Sequence, residues 1–579
     1  MSEGKGKPIP KTRQWPRVQL TLDRPMLRPA LCILLYVVLA TVYLERWPVP
    51  DFDEGLYANP ALNLIQKGNF GSSAMSGVLD LGRVTFWFLP LHSLLLWVPI
   101  KLFGFHLWSV RLLSAVCGLL TLLALYKFAR SLGVSGKAAS LLILFMGTDF
   151  MFLSIARFGR MEALLCFFHV TLLLLLVHAH QSGRSRPYFV PGLLAGACLM
   201  THPLGSLAIP AFLLFSWPKS SSPEGTRNST QWLSRAGTFA LGLIVACLPY
   251  LAFVVIEGPG EFWQQLVVYQ AHYCYDKQGL IGGPLANAAR LVKMWLISRA
   301  WPFFLLKLLL LGWLAWPVKT ARRLFALVLI DLVLLSFAWP GGAFWEYWIP
   351  TLYSTLAVCA SAGKISSILA DPGQRFAGLR RTIAGLVFCG IVALNLAAVF
   401  RALYRYHTND VGRFFSELTR ISLGEAKGKP RVLGNTTFLF AFPEEDFRSC
   451  LVVRSSMDLR NIGWDRALLE VAPEILLVDD LLRSGQWPAF QLPPGCWHQF
   501  LSRYGTLRGT VRGALGGRDN LVQVYELNLA AFARDGAARR APEGRNGSSP
   551  PFPCTADFGR STGGAAQRNG KPESPISAQ

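Results

Sequence analysis

The chain has 579 residues, 52% apolar and 16% charged, against roughly 25% charged residues in a soluble domain. With repeated apolar runs about 20 residues long, that deficit argues against an ordinary soluble fold and for many membrane helices. The net charge of +23 does not point to nucleic acid, because the Lys and Arg residues recur in alternate loops, where they set topology and meet anionic lipid.

A basic segment, 1–28, carries Lys5, Lys7, Lys11, Arg13, Arg17, Arg24 and Arg28 ahead of the first apolar run. That run ends in Leu44-Glu-Arg-Trp-Pro without a small-residue cleavage site, so it reads as a retained span and not a signal peptide. Apolar runs predict about eleven spans, at 29–47, 108–128, 138–155, 162–180, 188–201, 203–217, 237–256, 295–316, 324–338, 349–370 and 382–402. The run 86–106 is interrupted by Pro90, His92, Pro99 and Lys101 and reads as a helix lying along the outer surface. With it flat, Lys127, Arg130, Arg184, Arg186, Lys219, Arg235, Lys319, Arg322, Arg380 and Arg381 fall on the side of the basic N-terminus. The N-terminus is then cytoplasmic and the C-terminus external.

Beyond residue 403 the pattern changes. Val411–Leu423 is amphipathic, Pro430–Phe442 strand-like, Asp465–Val471 helical, and Glu474–Asp479 and Leu521–Glu526 read as buried strands. Residues 403–529 are thus expected to form a small α/β extracytoplasmic domain, followed by a disordered tail, 530–579, rich in Gly, Pro, Ser, Arg and Asn. The predicted whole is an α-helical polytopic membrane protein: a transmembrane domain, 29–402, with an external interfacial helix, and the small C-terminal α/β domain. Seven of the eleven cysteines lie in apolar runs and read as small core residues, and no Cys-x-x-Cys or Cys/His metal spacing occurs. Cys450 and Cys496 fall in the external segment, where a disulfide is allowed.

The unusual polar groups gather on the external side. In the first external loop, 48–107, Asp51, Asp53 and Glu54 place three carboxylates in four positions at a membrane exit. Charge beside hydrocarbon is costly and tends to mark function. Part-burial and mutual repulsion would raise at least one of these pKa values, making Asp53 or Glu54 a candidate base, although the same residue types also start helices. Arg157-Phe-Gly-Arg160-Met-Glu162 interrupts two spans; Arg forks suit phosphate and Glu162 offers a second carboxylate, while anchoring of a short turn is the plainer reading. His202 stands at an outer turn as a phosphate contact or a structural group. His272, with Tyr273 and Tyr275, and Tyr347, beside Glu346, lie in external loops as substrate contacts or interfacial aromatics.

Asp53-Glu54-Gly-Leu-Tyr57-Ala58 resembles the D-E-x-x-Y-A signature in the first external loop of the C-class glycosyltransferases, among them the protein O-mannosyltransferases and the lipid A aminoarabinose transferases. Phe103-Gly-Phe through Arg111-Leu is similar to that family's L-F-G…R-L block, Arg157 to Glu162 to its second acidic site, and Thr201-His202-Pro to its T-K-G/P turn. The resemblance implies transfer of a sugar from a polyprenyl- or dolichyl-phosphate donor to a hydroxyl of a lipid, glycan or protein on the extracytoplasmic face, Asp53 being the carboxylate near the acceptor. Asp53, Glu54 and Glu162 become the catalytic candidates, and Tyr57, Arg83, Arg157, Arg160, His202, His272 and Tyr347 the substrate-binding ones. A divalent metal is the cofactor left open, membrane lipids are partners, and the bacterial plasma membrane is the expected site. Three positions depart from the pattern. Glu162 stands where the family mostly has Asp, His202 where many members have Lys, and Leu89-Pro90 where a Lys-Pro or Pro-Pro precedes the interfacial helix, so that Arg83 is the candidate replacement cation. A lipid flippase would instead show internal symmetry and polar groups at mid-membrane depth, and an inactive structural homologue would tolerate loss of Asp53.

Overall fold

The computed structural model describes residues 27–182, 184–216, 225–269, 319–338, 377–424, 429–443, 446–483, 494–513 and 520–540. The expected spans 295–316 and 349–370, together with His272 and Tyr347, lie outside the described residues. The membrane half runs α1 (Leu27–Thr41), α2 (Phe52–Lys67), α3 (Pro90–Phe103), α4 (Leu107–Ser131), α5 (Gly136–Thr148), α6 (Phe150–Ala156), α7 (Glu162–Ser182), α8 (Phe189–Thr201), α9 (Ala208–Ser216), α10 (Gly225–Glu257), α11 (Lys319–Ala338) and α12 (Ala377–Tyr406). Among the described residues four helices, α4, α7, α10 and α12, are long and apolar enough to cross a bilayer. Leu34, Val116, Leu213, Leu241, Leu248 and Val255 point outward uncovered, as a lipid-facing surface requires. The chain is an integral membrane protein.

Two expected spans differ in detail. The run 138–155 is not one straight helix but α5 and α6, bent by 67°. The cause is Asp149, whose carboxylate accepts the Phe152 N–H at 3.0 Å and so starts a new helix inside the apolar stretch. The first span ends at Thr41, six residues before its expected limit, and the chain turns through 42–47 towards α2.

After α13 (Val411–Leu423) the chain builds β1 (Val432–Gly434), β2 (Phe447–Ser449), α14 (Cys450–Arg460), α15 (Trp464–Val471), β3 (Ile475–Val478), α16 (Pro494–Tyr504), β4 (Gly505–Gly513), β5 (Asn520–Leu527) and α17 (Leu529–Arg540). The sheet order is β2-β1-β3-β5-β4. β1 pairs in parallel with β2 and β3, and β5 runs antiparallel to β3 and β4, with Leu477 opposite Val524. All four residues of β3 are buried, as the continuous apolar run of a strand covered on both faces demands. The strand expected over 430–442 is only three residues long, because Asn435 accepts the Thr437 N–H at 3.1 Å and turns Thr436–Ala441 into a 3₁₀ helix. Cys450 is a free, fully buried thiol.

The tail expected to be disordered from 530 begins instead as α17. Phe532 packs against Trp464 and Phe500 with ring centroids 5.7 and 5.1 Å apart, and Asp535 accepts from Tyr504 Oη at 2.8 Å. Two side chains hold the helix, and composition averaged over the whole tail hides them.

The sheet domain rests on the membrane half through α2. A Cβ added to Gly55 would lie 2.4 Å from the Thr436 carbonyl oxygen, so only glycine lets the 3₁₀ turn after β1 sit against the first turn of α2.

Candidate active site

The acidic cluster is first a helix start. Asp51 Oδ1 accepts the Asp53 N–H at 2.9 Å, and Glu54 Oε2 accepts the Asp51 N–H at 3.0 Å, a capping box that fixes the first turn of α2. Successive helical residues point about 100° apart, so Asp53 and Glu54 enter different surroundings.

Glu54 turns inward and is fully buried. Arg111 on α4, also fully buried, grips it with Nε at 2.8 Å from Oε1 and Nη2 at 2.7 Å from Oε2, and the Gly159 N–H donates to Oε1 at 2.7 Å. Arg111 Nη1 in turn donates to the carbonyls of Leu44 and Pro48, both at 2.7 Å. Expected as a catalytic group, Glu54 thus ties α2, α4 and the 157–161 loop together, with no surface left for a substrate. Arg111, its partner, was visible in the sequence only as part of the R-L block.

Arg157, expected as a phosphate ligand or as the anchor of a short turn, is likewise committed to backbone carbonyls. Its guanidinium donates to the Leu39 carbonyl, to Val42 and Tyr43 at 2.7 and 2.9 Å, and to Trp47 at 2.9 Å, and lies 4.8 Å from the Trp47 ring centroid. Leu39 lies in the last turn of α1, Val42 and Tyr43 just past it and Trp47 in the turn that follows, so Arg157 binds the negative end of the helix and the chain leaving it. Arg83, 44% exposed, meets Asp80 at 2.5 Å, and Glu257 through its carboxylate at 2.8 Å and its carbonyl at 3.0 Å. It clamps the segment between α2 and α3 to the end of α10 and is a neutralised cation, not a free one. Gln265 reinforces that clamp from the π-helical turn Trp263–Tyr269, donating to the Leu79 and Val84 carbonyls at 2.8 and 3.1 Å and accepting from Phe86 N at 2.7 Å.

Asp53 faces the other way. Arg160 binds its carboxylate through Nη1 and reaches Glu162 Oε1 with Nε at 3.0 Å and Nη2 at 2.7 Å, so one guanidinium bridges two carboxylates from different elements. Ser114 Oγ donates to the Arg160 carbonyl at 3.1 Å and fixes the loop. Tyr57, one turn beyond Asp53, puts its ring 6.0 Å from the guanidinium. His202 caps the end of α8, accepts the Leu204 N–H on Nδ1 at 3.1 Å and lies within electrostatic reach of Glu162 and Arg160. Asp53, Tyr57, Arg160, Glu162 and His202 are therefore brought together. His92 joins them unannounced, its ring 6.1 Å from that of Tyr57. In the sequence it registered only as an interruption of an apolar run.

Asp53 keeps 16% of its side chain exposed. Burial pushes its carboxyl up to about 7; Arg160 pulls it down, and the negative charges of Asp51, Glu162 and Glu54 add to the rise. A carboxylate poised there exchanges a proton near neutral pH.

A divalent metal would need these same oxygens. The Arg160 guanidinium already spans them, and among the described residues no group of three or more His, Cys, Asp or Glu side chains is placed to hold an ion.

Comparison with known proteins meets this geometry. The sequence model of the dolichyl-phosphate-mannose-protein mannosyltransferase family matches residues 89–251. ArnT from Cupriavidus metallidurans, solved bound to undecaprenyl phosphate, superposes with a TM-score of 0.50 at 16% identity over 86% of this chain and 97% of its own. The chain has the fold of ArnT. The Archaeoglobus fulgidus oligosaccharyltransferase in its apo form shares this fold, with a TM-score of 0.51 at 11% identity over 81% of this chain and 71% of its own. No curated protein matches the chain in sequence.

Proposed function

We propose that the chain transfers a sugar from a polyprenyl- or dolichyl-phosphate donor to a hydroxyl acceptor on the extracytoplasmic face of the membrane, with Asp53 as the base. The observation that carries the reading is the Asp53–Arg160–Glu162 bridge, buried at one edge and open at Asp53. The acceptor oxygen bonds to the anomeric carbon, the bond from that carbon to the phosphate oxygen breaks, and the acceptor proton passes to Asp53. The lipid phosphate leaves with the bonding pair. Arg160 holds Asp53 in place and, through Glu162, ties it to the start of α7. Tyr57 walls the site, and His202 stands by Glu162. His272, Tyr347 and Arg83 remain substrate-binding candidates, Arg83 only if its carboxylate partners release it.

The wide fold likeness to ArnT, a protein solved with undecaprenyl phosphate, supports the donor class. The test is a transfer assay with purified protein, an acceptor extract and a labelled sugar supplied either on undecaprenyl phosphate or on a nucleotide. Label should move to the acceptor from the lipid donor alone. Transfer from the nucleotide sugar, or from neither, overturns the reading.

A further inference from the structure

His92 is a polar group that the mechanism above does not use. It sits in the first turn of α3, which Ser93 locks onto α2 by donating from Oγ to the Tyr57 carbonyl at 2.8 Å. The ring is 2% exposed, stands edge-on to Tyr57, and feels the charges of Glu162 and Arg160. The Arg160 backbone lies near enough to act on the ring, yet neither Nδ1 nor Nε2 has a partner within hydrogen-bond geometry. Buried polar atoms are almost always paired, because leaving one unpaired is costly. Two unpaired nitrogens on one ring, beside a carboxylate–guanidinium bridge, mark a place where a ligand brings the missing partners.

The chemistry of the ring narrows that ligand. Burial pushes His92 down to about 4, against the opposing pull of Glu162, so the imidazole is uncharged at neutral pH. A neutral imidazole has one N–H donor and one bare nitrogen that accepts. Phosphate oxygens only accept and can satisfy one of the two. A hydroxyl both donates and accepts, so neighbouring hydroxyls satisfy both. We propose that His92 reads hydroxyls of the transferred sugar, donating to one and accepting from another, and so takes part in choosing the sugar. This rests on the reading of the chain as a lipid-phosphate-sugar transferase.

The test compares binding of undecaprenyl phosphate with binding of undecaprenyl phosphate carrying mannose, glucose or arabinose, using full-length wild type and His92→Phe. Phe keeps a ring of similar size without polar atoms, and a thermal melt checks the fold. His92→Gln, which retains a donor and an acceptor, provides the rescue and replaces Phe if that variant melts early. Wild type should bind at least one sugar-bearing lipid about tenfold more tightly than the bare lipid, the worth of one net hydrogen bond. His92→Phe should erase that margin and leave affinity for the bare lipid unchanged, while His92→Gln keeps part of it. A margin that survives in folded His92→Phe overturns the proposal. So does a loss that falls equally on the bare lipid, which would place the ring on the phosphate. A wild type that binds no member of the panel overturns the transferase reading itself, a failure separate from that of His92.

Discussion

Glu54–Arg111 and Asp53–Arg160–Glu162 begin one residue apart and are built from the same groups, yet they do opposite things. The first is sealed, with four hydrogen bonds on the Glu54 carboxylate from Arg111, Gly159 and Asp51 and no exposed surface. The second is open at Asp53 and shares one guanidinium between two carboxylates. A sealed pair is held by geometry and breaks badly when one partner is lost. An open one leaves a carboxylate with an elevated pKa and part of its surface exposed. The α-helical turn makes the division, since it sends adjacent side chains in different directions from one capped start.

The largest expected effect falls on the sealed side. Arg111→Ala strands the buried Glu54 charge and should cost about 3–5 kcal/mol, read as a steep fall in the melting temperature of the detergent-purified protein. A loss under about 1 kcal/mol, the size of an exposed pair, would remove Glu54–Arg111 from the scaffold. On the open side, Arg160→Lys keeps the charge but gives up the planar fork. With about 1.5–3 kcal/mol at stake in charge-assisted hydrogen bonds, turnover should drop roughly tenfold to a hundredfold. Normal turnover would mean that the bridge does not position Asp53.

Smaller effects sharpen the comparison. Gly55→Ala pushes a methyl into the Thr436 carbonyl and should cost about 1–3 kcal/mol as an overpacked contact, with turnover falling because the start of α2 shifts. An unchanged melt would show that the sheet domain does not bear on α2. The pH profile is the mildest probe. Asp53 must be ionised to accept a proton, and its folded pKa is raised to about 7, so kcat/KM should fall about tenfold per unit below that pH and level off above it. A profile flat between about pH 5 and 8 contradicts a base with that pKa.

Much of this was legible in the sequence because it is local. Carboxylates at a membrane exit, two Arg and a Glu interrupting apolar runs, and strands such as Ile475–Val478 announce themselves within a few residues. What was hidden depends on partners distant in the chain. Arg157 looks like a phosphate ligand until the end of α1, over a hundred residues earlier, presents it with carbonyls. Glu54 looks as reactive as Asp53 until the phase of α2 aims it at Arg111. The bend at Asp149 and the helix Leu529–Arg540 were missed because single side chains decide them against the average of their windows.

The division of labour between Asp53 and Glu54 is tested most directly by measuring melting temperature and turnover together for Asp53→Asn and Glu54→Gln. Asp53→Asn should melt close to wild type and lose about 10²–10⁴-fold in turnover, the usual worth of a catalytic acid–base group. Glu54→Gln should melt markedly earlier while the folded fraction retains transfer. If Asp53→Asn transfers sugar normally, or if the two variants share one profile, the separation into a sealed brace and an open catalytic edge is wrong.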